Sequence, residues 1–433
     1  MSKPAIQIVW FRRDLRLIDN RSIEAASKLD LPILPLFVFD TDILSRLDDT
    51  KDRRVDYIQQ AVEYMNTELV KLGGQMMVFH GTAFQAFEYL ANQYKIVHVH
   101  AGEDYEPEAI QRDARINDYL QTLGGELHLH KDQVIFSKND ILKSDGTPYT
   151  VFTPYSKRWK QLLADNDLRI SESFHSKTSF VEIENSLIPT VEELGFEKTD
   201  TVFSLPTIEQ HIVANYTEQR DYPALEGTTQ LGMALRFGTL SIRACVTLAR
   251  EKNETWLSEL IWREFFMQIL YHFPKVEQHC FKAKYEGIQW LNNEADFQLW
   301  CSGNTGYSIV DAGMRQLNET GFMHNRVRMI VASFLCKHLL IDWRWGESYF
   351  ASKLNDYDLS ANNGNWQWAA GCGCDAAPYF RIFNPLTQAE KFDPNHHYRD
   401  KWLPANYDTI PKMVDHDFAR KRCLEVYKLG ING

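Results

Sequence analysis

Several features are missing from the sequence, and each absence excludes a class of protein. The chain of 433 residues contains no apolar run of the length that spans a membrane. Its apolar start is followed at once by Arg12 and Arg13, so it lacks the core of a signal peptide. The seven cysteines form no CxxC pair and are odd in number, which indicates reduced thiols rather than a disulfide framework. We therefore expect a cytoplasmic protein without a membrane-spanning segment.

Metal ligands in a recognisable pattern are also missing. Cys372 and Cys374 lie close together, but no second Cys or His pair stands nearby at zinc-finger spacing. Small residues in a tight turn explain these two thiols better, and we predict no metal site. No GxGxxG motif follows the first predicted strand, so a Rossmann dinucleotide site is not indicated there.

The chain has no excess of positive charge. It contains 47 Lys and Arg residues against 58 Asp and Glu residues, for a net charge of −11. A DNA partner would therefore have to be bound by local basic patches. Aromatic residues, in contrast, make up 13% of the chain and include 11 Trp. They can fill a core or provide stacking surfaces for bases and rings, and composition does not choose between these roles.

The order of local patterns indicates an α/β region followed by a helical one. Apolar runs of strand length alternate with helical patterns in the first part of the chain, which predicts a parallel, Rossmann-like sheet covered on both faces. The predicted strands are 6–10, 32–39, 76–80 and 95–100, and the predicted helices of this part are 22–29, 53–72, 83–93 and 108–123. The predicted helices of the second part are 241–252, 256–271, 309–319, 325–340 and 346–354.

These patterns divide the chain into three parts. We predict an α/β domain of residues 1–130, a connector of residues 131–204 and a larger all-α domain of residues 205–433. Ligands of parallel α/β sheets bind at the carboxyl ends of the strands, but the unusual residues of this chain lie in the helical part.

Two helical motifs in that part carry charged and aromatic residues. Trp256, Glu259, Trp262 and Arg263 are spaced so that they lie near one helical face. An amphipathic helix with Glu and Arg in water explains this motif equally well. In the run 324–329, three residues share one face and a fourth points elsewhere, and the arginines could hold an anion or form surface ion pairs. The three are Asn325, Arg328 and Met329, and the fourth is Arg326.

Two further motifs are polar. The run 356–368 combines acids, asparagines and tryptophans, which form turns when exposed but could bind the hydroxyls and polar edge of a ligand when buried. The run Glu-Gly-Thr-Thr-Gln-Leu-Gly at 226–232 offers the hydroxyls and backbone N–H groups of a phosphate-binding loop, although a simple turn explains it as well.

Taken together, five runs resemble one family. They are Trp-Phe-Arg-Arg-Asp-Leu-Arg (10–16), Glu-Leu-Ile-Trp-Arg-Glu-Phe (259–265), Thr-Gly-Phe-Met-His-Asn-Arg (320–326), Ala-Asn-Asn-Gly-Asn-Trp-Gln-Trp (361–368) and Phe-Arg-Ile-Phe-Asn-Pro (380–385). Over nearly the whole chain, and in the right order, the sequence resembles the photolyase/cryptochrome family. It is most similar to the bacterial class I photolyases of cyclobutane pyrimidine dimers.

This resemblance implies one FAD per chain, active in its fully reduced anionic form. The residues that it assigns to the FAD site are Tyr216, Thr228, Thr229, Gln230, Leu231, Gly232, Trp256, Glu259, Arg263, Asn325, Arg328, Asp356, Asp358 and Asn362. Asn362 corresponds to the residue that faces the reactive central-ring nitrogen of the flavin. An amide can hydrogen-bond this nitrogen but cannot supply it with an acidic proton, which favours the reduced anion.

The resemblance also implies a reaction and a DNA site. A dimer in UV-damaged DNA would be flipped out of the helix and split by an electron from excited reduced FAD. The catalytic groups would be Glu259, Asn362 and Met329. The DNA-binding residues would be Trp262, Asn325, Arg326, Met329, Trp368 and Arg381. Electrons would reach the flavin through Trp366, Trp343 and Trp290. We expect a monomer without an obligate protein partner.

Departures from the family pattern leave the second chromophore open. Glu108 and Ala109 stand where the folate-binding pattern has Asn-Glu, so a deazaflavin, another flavin, a lumazine or no second chromophore are all compatible with the sequence. In the FAD site, Gln230, Gly232, Phe322 and Asn365 replace the residues of the familiar pattern.

Three other functions are disfavoured but stay open. A cryptochrome photoreceptor would often carry an Asp at position 362 and a long extension after residues 402–404. A (6-4) photolyase needs a His pair near the lesion, where this chain has Met323 and Met329 around a single His324. A plain electron-transfer flavoprotein would have no use for Trp262 and Trp368 as a pair that clamps a lesion.

Overall fold

The chain folds into two compact units. A computed structural model describes residues 3–172, 174, 178–183 and 187–432. Residues 173, 175–177 and 184–186 of the predicted connector lie outside the described residues. The sheet unit contains Met1–Asp140, Leu162–Ile208 and Leu231–Leu248, and the helical unit contains Ile141–Gln161, Glu209–Gln230 and Ala249–Gly433.

Five parallel strands form the centre of the sheet unit. They are β1 (Ala5–Phe11), β2 (Ile33–Asp40), β3 (Met77–Gly81), β4 (Lys95–Gly102) and β5 (Glu126–His130). Their spatial order is β3-β2-β1-β4-β5, and Val9 of the central β1 lies opposite Pro35 of β2 and His100 of β4. The predicted parallel sheet is confirmed, and four of its strands were predicted from their apolar runs.

Alternate residues of each strand point to opposite faces of the sheet, and an apolar core covers each face. Val9 and Phe11 belong to the apolar core on one face, whereas Ile8 and Trp10 belong to the core on the other. A strand buried on both sides has a continuous apolar sequence, which explains why β1 and β2 could be recognised, whereas the edge strand β3 is only partly buried. The edge strand β5, Glu-Leu-His-Leu-His, was not predicted, although its alternation of polar and apolar residues is typical of a half-buried strand.

The helices occupy most of the rest of the chain. They are α1 (Arg21–Ala26), α2 (Thr41–Leu44), α3 (Arg53–Lys71), α4 (Ala83–Gln93), α5 (Pro107–Thr122), α6 (Phe152–Leu162), α7 (Gln210–Ala214), α8 (Tyr216–Gln219), α9 (Gly232–Phe237), α10 (Ile242–Lys252), α11 (Glu254–His272), α12 (Glu294–Cys301), α13 (Ser308–Thr320), α14 (Asn325–Ser333), α15 (Trp343–Lys353), α16 (Leu359–Ala370), α17 (Pro385–Phe392), α18 (His397–Trp402) and α19 (His416–Asn432). In the described part of the chain, none of these helices is long and apolar enough to cross a membrane.

Three helical predictions need correction. The helix predicted at 325–340 ends as an α-helix at Ser333 and continues as a π-helical turn, Phe334–His338. Turn chemistry was one interpretation of the run 356–368, but this run is helical from Leu359 because Asp358 caps the helix and accepts a hydrogen bond from Ala361 N (3.2 Å). Helix α6 was not predicted, because it lies within residues 131–204, which the sequence analysis assigned to a connector.

An apolar core occupies the part of the helical unit from Cys280 to Tyr427. Its largest fully buried side chains include Trp300, Tyr307 and Trp343, and Trp366 is 2% exposed. Several of the aromatic residues of the chain therefore fill this core. Trp343 and Trp366, which were assigned a function, are members of it.

Candidate functional site

Helix α11 carries the first motif on one side of the helical unit. It begins at Glu254 because the Asn253 side chain accepts hydrogen bonds from Thr255 N (3.0 Å) and Trp256 N (3.1 Å). Trp256 is buried, whereas the Glu259 side chain is 32% exposed. The motif is therefore no simple solvent-facing stripe, because its aromatic residues are covered by protein.

Trp262 is held by other aromatic rings. The ring of Phe152, at the start of α6, lies parallel to it with a centroid distance of 3.7 Å and an interplanar angle of 5°. Phe266 stacks at 5.4 Å and Phe265 meets it edge-on at 5.5 Å. Such contacts restrict the plane of the indole, and Phe152 covers one of its faces.

A buried carboxylate fastens α6 to α11. Glu264 is 2% exposed and accepts hydrogen bonds from Tyr155 Oη (3.1 Å) and Trp159 Nε1 (2.7 Å). A buried charge is tolerated only when such donors satisfy it, so this contact fixes the two helices relative to each other. The sequence analysis did not find this pair, because the partners lie more than 100 positions apart.

Glu259 is paired with a residue that the sequence analysis had not singled out. Arg220 Nη1 lies 2.5 Å from Glu259 Oε1, and the Arg220 guanidinium stands over the ring of Tyr216 at 5.2 Å. Burial, and then the charge of Glu259, raise the pKa of Tyr216 well above its usual value. Tyr216 and Glu259, both predicted site residues, are thus brought together through Arg220.

The second motif adjoins this group. Arg326 Nη2 lies 2.7 Å from Asp221 Oδ1, next in sequence to Arg220, and Arg326 Nη1 lies 3.6 Å from the Sδ atom of Met329. Arg326 also stands over the ring of Phe392 at 4.4 Å. Arg326, which was expected to point away from the face of Asn325, Arg328 and Met329, places Nη1 near Met329, three positions further along α14.

Arg328 contacts the polar run 356–368. Its Nη2 atom lies 3.1 and 3.0 Å from the two carboxylate oxygens of Asp356, and its Nε donates to Met323 O (2.8 Å). Asp358 is next to this pair in sequence but caps α16. The structure therefore joins Arg328 and Asp356 directly and gives Asp358 at least one structural role.

Two buried polar atoms at this place have no hydrogen-bond partner among the described residues. They are His324 Nε2 and Arg326 Nε. Burial, and then the charges of Arg328 and Arg326, lower the pKa of His324 to about 4, so its ring is neutral at physiological pH. Buried polar groups are usually hydrogen-bonded, so these two atoms are available to water or to a polar ligand.

Helix α16 approaches its neighbours closely because two glycines leave room. A Cβ at Gly364 would meet Phe266 of α11 at 2.2 Å, and a Cβ at Gly346 of α15 would meet the Trp366 ring at 2.2 Å. These contacts position Asn362, whose Nδ2 donates to Glu347 O (3.0 Å) and Glu347 Oε1 (2.9 Å). Burial raises the pKa of Glu347 to about 7.

The three predicted electron-transfer tryptophans belong to one aromatic core. Trp366 and Trp343 are members of it, and Trp290 packs on its edge, with its ring 5.8 Å from that of Tyr427. The ring neighbours of Trp366 in the described part of the chain are Trp300 (6.1 Å) and Phe350 (5.0 Å). No direct ring contact joins the three predicted residues within the described chain, and the sequence analysis missed Trp300.

The remaining predicted residues are dispersed. Thr228, Thr229 and Gln230 belong to the helical unit, and Gln230 has a positive φ of 51°, whereas Leu231 and Gly232 belong to the sheet unit. Asn325 and Arg381 are exposed, and Trp368 and Arg263 are half-buried. The structure records no ring contact between Trp262 and Trp368 among the described residues.

Comparison with known proteins gives this arrangement a class. Residues 256–428 match a family model described as the FAD binding domain of DNA photolyase, and residues 7–173 match one described as DNA photolyase. The helical unit therefore contains the FAD-binding domain of a flavoprotein.

Individual relatives agree over almost the full chain. Deoxyribodipyrimidine photo-lyase of Synechococcus is 37% identical over 432 residues, covering 94% of this chain and 89% of that one. A class III photolyase from Agrobacterium tumefaciens has a TM-score of 0.87 at 29% identity and covers 100% of this chain and 99% of its own. A photolyase from Sulfolobus tokodaii solved with two FAD molecules has a TM-score of 0.84 at 33% identity, covering 98% and 99%. The chain belongs to the DNA photolyase family, which confirms the resemblance inferred from the sequence.

Proposed function

We propose that this protein repairs cyclobutane pyrimidine dimers in UV-damaged DNA by a light-driven reaction of FAD held in the helical unit. We place it in the cytoplasm, acting as a monomer without an obligate protein partner. The observation that carries the proposal is one group of side chains. Arg220 pairs with Glu259 and stands over the ring of Tyr216. Arg326 pairs with Asp221, next in sequence to Arg220, and contacts Met329. This group lies on the elements that match the FAD-binding domain and on the segment just before it.

The residues fit FAD. The orphaned His324 Nε2 and Arg326 Nε offer polar contacts to a ligand, and the arginines suit its phosphates. The residues proposed to hold FAD are Tyr216, Thr228, Thr229, Gln230, Leu231, Gly232, Trp256, Glu259, Arg263, Asn325, Arg328, Asp356, Asp358 and Asn362. Bound in its reduced form, FAD would supply an electron after absorbing light and take it back once the dimer has split.

Asn362 would orient the flavin through its amide. Since Nδ2 donates twice to Glu347, the Oδ1 atom is the group left to accept a hydrogen bond from an N–H of the ligand. An amide held in this orientation favours a protonated ring nitrogen. The amide has no acidic proton to give to the flavin, and this favours the reduced anion.

The side chains toward DNA would act by positioning and electrostatics. Glu259, held by Arg220, would hydrogen-bond the damaged bases and steady the negative charge that develops on the dimer. Trp262 and Trp368 would hold the lesion. Phe152 covers one face of Trp262, and Phe265 and Phe266 also contact its ring. Met329 would contact the lesion, and Asn325, Arg326 and Arg381 would contact the DNA.

Three tryptophans are proposed to reduce the flavin in light. The electron would enter at the partly exposed Trp290, pass Trp343 and reach the flavin from Trp366. All three belong to or pack on the aromatic core of the helical unit. A second chromophore, for which the two FAD molecules of the Sulfolobus relative provide a precedent, can be identified from the absorption spectrum of the purified protein.

Repair itself tests the function. Chemically reduced protein is mixed with UV-irradiated oligothymidine, and the recovery of base absorbance is followed under blue light and in the dark. Recovery in light alone supports the proposal. Absence of recovery with reduced FAD bound would contradict it, and recovery on (6-4) lesions would establish a different photolyase.

A further inference from the structure

A polar cavity of about 430 Å³ lies in the sheet unit, and its lining residues are outside the segment 256–428 that matches the FAD-binding domain. It is lined by α1, by the carboxyl end of β5 and by residues 166–169. This volume falls within the range of cavities that bind small molecules. We call it the Glu24 cavity, after the carboxylate in its wall.

Cations predominate in this cavity. The basic residues that line it are Arg21, Lys28, Lys131, Arg169 and Arg243, against Glu24 and Asp167 as the acidic ones. Arg243 is already paired with Asp19 and Asp132, and Lys131 with Asp140. The remaining positive charge therefore belongs to Arg21, Lys28 and Arg169, which lie around Glu24. In a chain with a net charge of −11, such a cationic group is unexpected on composition alone.

Three of these cations converge on one carboxylate. Arg21 Nη1 lies 2.6 Å and Lys28 Nζ 3.1 Å from the oxygens of Glu24, and Arg169 Nη2 bonds the same group. Although partial burial opposes it, the hydrogen bonds from Arg169, Arg21 and Lys28 lower the pKa of Glu24 to about 2. Glu24 and Asp167 supply two negative charges to the cavity against the three positive charges of this group, so one positive charge remains to attract a further anion.

Hydrogen-bond donors in the group are also left over. Among the described residues, Arg169 Nε and Nη1 and Arg21 Nε have no side-chain or backbone acceptor, and Lys28 Nζ bonds Glu24 alone. Phosphate oxygens are the acceptors that arginine and lysine donors match best. The guanidinium groups and the ammonium group can therefore receive a phosphate without breaking their contacts to Glu24.

We propose that the Glu24 cavity binds the phosphate groups of a small phosphorylated ligand of nucleotide size. Ala25, Val134 and Ile135 form the apolar part of its wall and would accept the organic part of such a ligand. The site is independent of the proposed repair reaction.

Calorimetric titration with ADP and with pyrophosphate tests the site. The FAD-loaded protein is used, so that the nucleotide site of the helical unit is filled. We expect binding of ADP, weakened at least about tenfold in a Lys28→Ala/Arg169→Ala variant, since a charge-assisted hydrogen bond contributes about 1.5–3 kcal/mol. Lys28→Arg should keep the binding, because it keeps the charge.

An Arg46→Ala/Lys71→Ala variant is the matched control. It removes the same charge from exposed ion pairs with Glu108 and Glu68, which lie outside the cavity in the same unit. An equal loss of ADP binding in this control would overturn the proposal, as would absence of binding of both ligands at millimolar concentration. Binding of undamaged duplex DNA in place of ADP, sensitive to Lys28 and Arg169, would also overturn it and assign these residues to a DNA surface.

Discussion

Arg220 Nη1 lies 2.5 Å from Glu259 Oε1, and this ion pair connects the segment before the FAD-binding domain to helix α11. The carboxylate proposed to face the damaged bases is therefore oriented by a specific partner. We therefore expect the contribution of Glu259 to the reaction to depend on Arg220 as well as on the position of Glu259 itself.

Removing either member of this pair should slow repair. We expect Glu259→Ala to lower the rate of dimer splitting about tenfold, the effect of one charge-assisted hydrogen bond, while FAD stays bound. Arg220→Ala should have a smaller effect in the same direction, and Arg220→Lys should recover part of the rate. Flash-initiated repair of irradiated oligothymidine measures this, and an unchanged rate in Glu259→Ala would remove this residue from the mechanism.

Phe152 should affect binding of the lesion through Trp262. A stacked aromatic pair contributes about 0.5–1.5 kcal/mol beyond the area it buries, so Phe152→Ala should weaken binding to irradiated DNA about two- to tenfold. Phe152→Tyr keeps the stack and should bind like the unchanged protein. Fluorescence anisotropy with irradiated and undamaged oligonucleotides provides the test, and equal affinities of all three proteins for the lesion would show that the stack has no role.

Glu347 should make stability depend on pH. Its pKa is raised to about 7 in the folded protein and is near 4.5 when unfolded, so between these values the folded state binds more protons. Stability due to this group is therefore present below about pH 4.5 and is lost as the pH rises through 7, by at most about 1.4 kcal/mol per pH unit. The melting temperature of Glu347→Gln should fall less between pH 5 and 8 than that of the unchanged protein, as measured by calorimetry. Parallel curves would contradict a protonated Glu347.

Substitution of a proposed electron-transfer tryptophan should change photoreduction of the flavin and leave repair unchanged. Trp290→Phe should slow the photoreduction of oxidised FAD and leave repair by chemically reduced protein unchanged. Trp300→Phe, the same replacement at a residue in ring contact with Trp366, is the control and should leave photoreduction unchanged. Transient absorption distinguishes these cases. Normal photoreduction in Trp290→Phe, or its loss in Trp300→Phe, would show that electrons take another route.

The amino-acid sequence by itself determined what depends on local spacing. Strands β1 and β2 could be predicted because burial on both faces leaves a continuous apolar run, and the motif on α11 because residues three to seven positions apart share a helical face. The family resemblance came from the same short runs. The edge strand β5 and helix α6 were missed, β5 despite its alternating pattern and α6 because it lies within the predicted connector.

Only the tertiary structure decided which distant residues meet. Arg220 and Glu259 are 39 positions apart, and Phe152 and Trp262 are separated by 110, so no local period relates them. The close approach of α16 to α11 depends on a missing Cβ at Gly364, whose importance appears only when Phe266 lies beside it. Long-range pairing is set by how apolar faces and buried charges are jointly satisfied, which is a property of the folded chain and not of any one segment.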